Sequence, residues 1–377
     1  MSRKIADIER LRAVAVIMVI ISHVAYFGHY LKPLFRQTWS GVDLFFVISG
    51  CVVSLSLLHL FPKLPEASSL SERIGLLNNP LKLFFLKRLL RITPMAVIWA
   101  IIPLTLAFTF NQSGAFVTKT FYQAFNQLMA ILTLQFNYIY IYDLLPHEMG
   151  YYWSLAVEEH FYLLLPLLFL FVPTSSGKIK WSIILITLTT FVIRPLLPHP
   201  SSGTDNQTTW FWYRFASHNR FDSLLLGVVI GLMRFELKPE KKEGSWALIV
   251  LMLILTFFLC LVPAMEVTVP LYHFQITILN LICFLMVFFA SLDRNIVFPL
   301  PLVDRVLVYL GSRSYALYLV HYPAYKITDE IFFRLAETSI AAKLVVFIVL
   351  MMALTELSYR FIEVPFIGLG KRWGKHA

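Results

Sequence analysis

The chain has 377 residues, of which 58% are hydrophobic and only 14% are charged, and its mean hydropathy is +0.71. An ordinary soluble domain carries about 25% charged residues, so the composition excludes a water-soluble globular protein. The net charge of +10 does not indicate nucleic-acid binding, because the basic residues are spread among loops between apolar runs.

Apolar runs of about 20 residues recur along the chain, each long enough to cross about 30 Å of hydrocarbon as a helix. The alternation typical of strand barrels is absent. The sequence predicts an all-α polytopic membrane protein, one membrane domain over residues 1–377. Its ten predicted transmembrane helices are 11–30, 42–61, 92–110, 155–173, 179–198, 221–237, 245–263, 272–291, 306–325 and 342–360.

Three further segments do not fit this pattern of spans. The aromatic stretch 125–142 falls short of a full span, so we predict a re-entrant or interfacial helix there. Segments 62–82 and 199–220 are rich in Pro, Ser, Asn and Gly and are predicted to be irregular. The three cysteines all lie in apolar runs, where neither a disulfide framework nor a zinc site is expected, and we predict no metal site.

Charge predicts the orientation of the spans. With 125–142 not crossing, the segments on the side of the N-terminus hold 22 Lys and Arg residues, against 8 in the opposite segments. Cytoplasmic loops carry the excess of basic residues, which predicts that both termini are cytoplasmic. The first apolar run lacks a small-x-small cleavage site and is predicted to be a retained helix.

The first span carries two ionisable side chains, Arg12 and His23, eleven positions apart. At 100° per residue this spacing returns both to nearly the same helix face, about 16 Å apart along the axis. A neutral imidazole within the membrane can serve as a general base or a transient nucleophile if its other nitrogen is oriented. The alternative is a helix-start arginine and a hydrogen-bonded structural histidine.

The second span opens with GVDLFFVISG and places Asp43 near the outer membrane edge. Asp43 is the natural partner for His23, provided that the first helix begins near Ile5 rather than near Arg12. The alternative for Asp43 is a helix N-cap.

In FFLKRLLRITP, Arg88 and Arg91 lie three apart on one helix face, with Lys87 beside them. Paired guanidinium groups bind phosphates in a bidentate manner, so this cluster suits the phosphates of a coenzyme A donor. The alternative is a stop-transfer cluster or a contact with anionic membrane lipids.

WSLAVEEHFYLLLP begins the fourth span with two carboxylates, Glu158 and Glu159. Carboxylates inside a span are costly, so at least one is expected to face a polar cavity, where it can bind sugar hydroxyls, stabilise a charged histidine or relay a proton. The alternative is an interfacial position at a helix start, where glutamates cost little.

Two later stretches supply acceptor-site or channel candidates. Arg220 and Asp222 lie at the outer end of a span, and Tyr315, Tyr318 and His321 are spaced by three along one side of a helix. Tyrosine and histidine at a membrane edge are also typical of interfacial belts. The chain contains no G-x-S-x-G elbow, Walker loop, G-x-G-x-x-G or H-E-x-x-H pattern, so those enzyme classes lose support.

Taken together, these stretches resemble the acyltransferase-3 family of integral membrane O-acyltransferases. The resemblance runs through nearly the whole chain. It is carried by Arg12 and His23 with ten residues between them, GVDLFFVISG at 41–50, KRLLRITP at 87–94, WSLAVEEHFYLL at 153–164, RFDSLLLG at 220–227, SYALYLVHYP at 314–323 and YRFIEVPF at 359–366.

The resemblance implies a ten-helix bundle in the bacterial inner membrane. It implies transfer of acetyl, or another short acyl group, from cytoplasmic acyl-coenzyme A to a hydroxyl of a cell-surface glycan or its lipid-linked precursor. Acetyl-coenzyme A is then a donor substrate, and no cofactor is bound permanently. On the matching positions His23 is the catalytic histidine, Arg12 its companion, and Arg88 with Arg91 the donor-side pair.

The expected mechanism has His23 deprotonate the sugar hydroxyl as it attacks the thioester. Asp43 or Glu158, which match acidic positions of the family, would assist. A covalent acyl-histidine relay is the alternative.

Larger family members append a periplasmic esterase-like domain, whereas this chain stops soon after its last span. We therefore expect a stand-alone enzyme that modifies O-antigen or exopolysaccharide. Two other readings stay open: a transporter or flippase of lipid-linked sugar with a proton-coupled pathway, and a non-catalytic membrane scaffold.

Overall fold

The computed structural model describes residues 5–35, 38–62, 64–66, 68–142, 144, 146–196, 206–237, 244–261 and 273–373. Within these ranges every regular element is helical. Six helices are long and apolar enough to cross a membrane, and a seventh candidate is a bent pair. The prediction of an all-α polytopic membrane protein is confirmed.

The first half of the described chain contains these α-helices: α1 Ala6–His23, α2 Ala25–Phe35, α3 Gly41–Leu60, α4 Leu70–Thr109, α5 Phe121–Leu132, α6 Phe136–Ile141, α7 Tyr152–Phe171, α8 Ser175–Leu188 and α9 Arg194–Leu196. The second half contains α10 Asn206–Phe215, α11 Phe221–Leu237, α12 Trp246–Leu261, α13 His273–Ser291, α14 Pro301–Ser312, α15 Ser314–Arg334, α16 Ile340–Ser358 and α17 Val364–Trp373. Helices α3, α7, α11, α12 and α13 follow the predicted spans closely.

Two predicted spans are broken helices. The span 11–30 divides into α1 and α2, which meet at a bend of 95°, because Val24 adopts an extended conformation. The span 306–325 divides into α14 and α15 at Arg313, where a Gly-Ser-Arg-Ser sequence weakens the helix. The hydropathy-based prediction missed both breaks, because hydropathy is averaged over a window of residues and does not depend on the backbone conformation of any single residue.

Helical structure also occurs outside the predicted spans. The 40-residue α4 begins with a capping box formed by Ser69 and Glu72 and covers most of the predicted irregular segment 62–82. Part of segment 199–220 is likewise helical, as α10. Turns of π-helix at Thr189–Ile193 and Tyr359–Glu363 connect α8 to α9 and α16 to α17. Satisfied caps and internal hydrogen bonds outweigh the local turn composition here.

The segment 125–142 forms two short helices, α5 and α6, rather than one. Between them Leu134 has a φ of 61°, a conformation that ends the first helix. Twelve residues rise only about 18 Å, so neither helix spans the bilayer alone.

Helices α3 and α11 run parallel to each other, and their backbones are in direct contact. A Cβ atom at Gly50 would clash with the carbonyl oxygen of Leu224, and one at Gly227 with that of Val47. Gly227 and Gly231 form a G-x-x-x-G pattern, which permits close helix approach in membranes. The parallel direction agrees with the predicted topology, in which both spans run from the outer to the inner face.

We expect Gly227→Ala to destabilise the protein by about 1–3 kcal/mol, because the added methyl group has only backbone atoms to displace. Thermal unfolding in detergent should show a Tm lower by several degrees. Gly75→Ala in α4 is the matched control, since nothing lies within 4 Å of the added atom. Equal Tm values for the two variants would contradict the close packing.

Candidate functional site

The break after α1 places His23 against His321 of α15. Nδ1 of His23 lies 3.0 Å from Nε2 of His321, and the two ring planes differ by 22° with centroids 5.1 Å apart. His321 is fully buried, whereas His23 at the helix end is half-buried. We call these two residues the histidine pair. The structure therefore brings together two of the predicted site residues.

Separate hydrogen bonds of the Tyr318 backbone and side chain connect the histidine pair to the bundle. Nδ1 of His321 lies 2.6 Å from the carbonyl oxygen of Tyr318. The Tyr318 hydroxyl lies 2.6 Å from Oγ of Ser154 and donates to the carbonyl oxygen of Tyr151 at 2.7 Å. The imidazoles are thus fixed to the backbone of α15 and, through Tyr318, to α7.

The predicted donor-side arginines line one cavity of about 90 Å³. Arg12 comes from α1, and Arg88 and Arg91 come from α4. Glu158 supplies a carboxylate. The other lining residues are Val42, Phe45, Phe46, Ile48, Ser49, Val52, Val53, Ile92, Ser154, Leu155, Tyr162, Ser314, Tyr315 and Tyr318. We call this space the arginine cavity.

Neither His23 nor His321 is among the residues that line the arginine cavity. The link to the histidine pair is Tyr318, which lines the cavity and contacts Ser154 through its hydroxyl and His321 through its backbone carbonyl. His321 lies one helical turn beyond Tyr318. The site therefore has three guanidinium groups at one end and an imidazole pair next to the other.

Glu158 is held in the wall of the arginine cavity by two hydroxyl groups. It accepts a hydrogen bond from Tyr162 at 2.6 Å, and Oγ of Ser49 lies 3.2 Å from the same carboxylate oxygen and in contact with the Tyr162 hydroxyl. The guanidinium of Arg88 lies over the ring of Tyr162, 5.0 Å from its centroid. Of the two carboxylates of the fourth span, Glu158 is the one that lines this cavity.

The remaining candidate residues of this region, Tyr315, Glu159 and Arg12, make different contacts. Tyr315 lines the arginine cavity and donates to the carbonyl oxygen of Ile92 at 2.7 Å. Glu159 lies next to the cavity residues, and its Oε1 is buried with no hydrogen-bond partner among the described residues. Arg12 contacts Glu9, one turn earlier in α1, at 3.4 Å.

Asp43 does not pair with His23, as the sequence had suggested, but forms a buried ion pair with Arg220. Helix α1 begins at Ala6, the register that we expected to bring Asp43 and His23 level. A buried carboxylate nevertheless needs a charged partner, and the guanidinium at the start of α11 provides one. The two residues are 177 positions apart, so local spacing could not reveal the pair.

Asp222 lies in a second buried network, together with a residue that the sequence analysis missed. Arg194 donates to Asp222 at 2.6 Å and to the carbonyl oxygen of Asn219 at 2.7 Å. Asn280 also donates to Asp222, at 2.9 Å. Neither Asp222 nor Arg220 is among the residues that line the arginine cavity. The sequence feature that could have identified Arg194 is its charge near the end of an apolar run.

Two more charged residues adjoin the site. Arg214 of α10 is buried over the ring of Trp39, 4.1 Å from its centroid, and lies within electrostatic range of His23. Glu363, in the second π-helical turn, lies within range of Arg91. Glu363 belongs to the YRFIEVPF stretch, which carried the family resemblance but had no assigned role. No group of three potential metal ligands occurs in the described residues.

Comparison with known proteins gives one family. A family model described as an acyltransferase domain, Acyl_transf_3, matches residues 5–359. No solved structure gives a significant match.

Two curated relatives come from Staphylococcus aureus. A protein of strain COL that carries the name "Putative O-acetyltransferase" is 28% identical over 396 aligned residues, which cover 97% of this chain and 57% of the relative. The O-acetyltransferase OatA of strain NCTC 8325 is 27% identical over 381 residues, covering 96% of this chain and 57% of OatA. The chain thus spans a little over half the length of these relatives.

We expect Asp43→Asn to lower the stability of the folded protein rather than to change the chemistry of His23. Loss of one partner from a buried ion pair costs about 3–5 kcal/mol, so the Tm should fall and activity should fall with the folded fraction. The double variant Asp43→Asn, Arg220→Gln should recover part of the Tm, because two amides can bond each other. Lost activity at an unchanged Tm would instead indicate that Asp43 acts directly in the reaction.

Proposed function

We propose that this chain, which belongs to the acyltransferase-3 family, is a membrane O-acyltransferase that moves a short acyl group, acetyl in the first instance, from coenzyme A to a glycan hydroxyl. The observation that carries the proposal is the arginine cavity together with Tyr318, a residue of its wall whose backbone carbonyl is hydrogen-bonded to His321 of the histidine pair. The relatives named O-acetyltransferases support the choice of acetyl and of an oxygen acceptor.

The donor end of the site is positively charged. Arg12, Arg88 and Arg91 outnumber the single carboxylate in the wall, that of Glu158. Coenzyme A presents a pyrophosphate and a 3′-phosphate, and arginine binds such groups through paired, charge-assisted hydrogen bonds. The nucleotide would stay at the arginines while the thioester arm enters the cavity toward the histidine pair.

The reaction would proceed by general-base catalysis at His23. The imidazole accepts the proton of the acceptor hydroxyl while the oxygen attacks the thioester carbonyl carbon. The new ester C–O bond forms, the C–S bond breaks, and the thiolate leaves on coenzyme A. Glu158, fixed by Ser49 and Tyr162, is the carboxylate placed on the donor side. The acyl-histidine relay is the two-step variant.

The acceptor would be a cell-surface glycan or its lipid-linked precursor. Most Lys and Arg residues lie on one set of loops, which supports cytoplasmic termini and entry of the donor from the cytoplasm. The membrane would be the inner membrane of a bacterium. Glu159 and Tyr315 are the channel candidates nearest the arginine cavity.

A transporter of lipid-linked sugar is the second candidate. The bend between α1 and α2 at His23 favours it, because broken helices form the midplane sites of many transporters. A transporter would move sugar without consuming an acyl donor. Dependence of glycan acylation on acetyl-coenzyme A therefore separates the two functions.

We expect His23→Ala to abolish O-acetylation while leaving the protein folded. A positioned general base contributes about 100-fold or more to the rate. Mass spectrometry of surface polysaccharide should show O-acetyl groups with the intact gene and background levels with the variant. The matched control is His59→Ala, an exposed histidine at the end of α3. Unchanged acetylation in a confirmed, expressed His23→Ala strain would support a scaffold.

We expect Arg88→Ala and Arg91→Ala to weaken donor binding. Charge-assisted hydrogen bonds contribute about 1.5–3 kcal/mol, so KM for acetyl-coenzyme A should rise on the order of 10- to 100-fold. Acetyl-pantetheine lacks the nucleotide phosphates, and its KM should change little. Lys82→Ala, exposed on the same helix, is the control. Equal effects on both donors would refute phosphate binding at these arginines.

A further inference from the structure

We propose that His321 is the positioning residue that holds His23 in the tautomer whose free nitrogen is Nε2. The inference deepens the proposed function and rests on it, because it specifies which atom of His23 accepts the hydroxyl proton. It assigns to a second histidine the task that a carboxylate performs in a serine-protease triad.

The first step is the proton on His321. Its Nδ1 lies 2.6 Å from the carbonyl oxygen of Tyr318, and a carbonyl oxygen only accepts hydrogen bonds. Nδ1 of His321 therefore carries a hydrogen. A neutral imidazole has one N–H group, so Nε2 of His321 presents a lone pair.

The second step is the position of the proton on His23. Nε2 of His321 lies 3.0 Å from Nδ1 of His23, and two lone pairs at that distance would repel each other. Nδ1 of His23 must donate. Its remaining nitrogen, Nε2, is then the unprotonated atom and the base.

The third step is that the surroundings keep His321 in place. Its ring is fully buried. The rings of Tyr151, Tyr318 and Tyr322 enclose it, with centroids 5.5, 5.8 and 6.5 Å away. The carboxylate that the sequence suggested for this task, Asp43, is occupied by Arg220.

The pair also offers a route for the proton. When Nε2 of His23 takes the hydroxyl proton, its Nδ1 proton can pass to Nε2 of His321, whose own Nδ1–H remains on the Tyr318 carbonyl. One positive charge is then shared by the two hydrogen-bonded rings. Arg214, from α10, is a charged group within electrostatic range of His23.

The experiment compares His321→Phe, which keeps a ring but removes both nitrogens, with His321→Gln, whose amide can accept from His23 and donate to Tyr318. His59→Phe is the matched control, because this exposed histidine touches neither the histidine pair nor the arginine cavity.

Membrane vesicles of the producing strain receive acetyl-coenzyme A labelled in the acetyl group, and the rate at which label enters polysaccharide gives kcat and KM. Nitrogen-15 NMR of the histidine-labelled full chain in lipid nanodiscs reports the tautomer of His23, assigned with His23→Gln.

We expect His321→Phe to lower kcat by about 10- to 100-fold with KM for acetyl-coenzyme A unchanged, and His321→Gln to restore part of the loss. In the wild type, His23 should show a protonated Nδ1 and a free Nε2. In His321→Phe it should show a mixture of tautomers.

An unchanged kcat and an unchanged tautomer in His321→Phe would overturn the role of His321, and so would a wild-type His23 with its proton on Nε2. If the wild type transfers no label, the proposed function fails. The NMR result then still decides whether His321 sets the tautomer of His23.

Discussion

The ion pair between Asp43 and Arg220 lies two helical turns from the contact of Gly50 with Gly227, along two helices that run in parallel. Neither charge is tolerable alone inside the bundle, and neither helix can approach so closely with a larger residue at the contact. The pair and the glycines therefore fix α3 against α11. Ser49, in the same turn of α3 as Gly50, is thereby held at the wall of the arginine cavity.

The fixed helices separate two polar environments. One is closed: Asp222 accepts hydrogen bonds from Arg194 and Asn280 beside α11. The other contains empty space: guanidinium groups from α1 and α4 line a cavity whose wall includes Glu158. The cavity beside these charged groups is what distinguishes this region from the closed network.

The bend at Val24 gives the site its second end. A continuous first span would carry His23 within a regular helix, whereas the break leaves its imidazole at a helix terminus against α15. In the proposed reaction the donor and the acceptor would approach from opposite faces of the membrane. A cavity with arginine side chains at one end and the histidine pair near the other would allow them to meet without either one crossing.

The sequence alone determined the class of protein, the position of most spans, and the residue types at the site. Hydropathy and charge are local, additive properties, and the arginines and histidines stand out because they are costly in apolar runs. Only the tertiary structure decided the partners: His321 for His23 across 298 positions and Arg220 for Asp43 across 177. These pairings depend on the rotation, register and breaks of packed helices, which no local pattern of residues encodes.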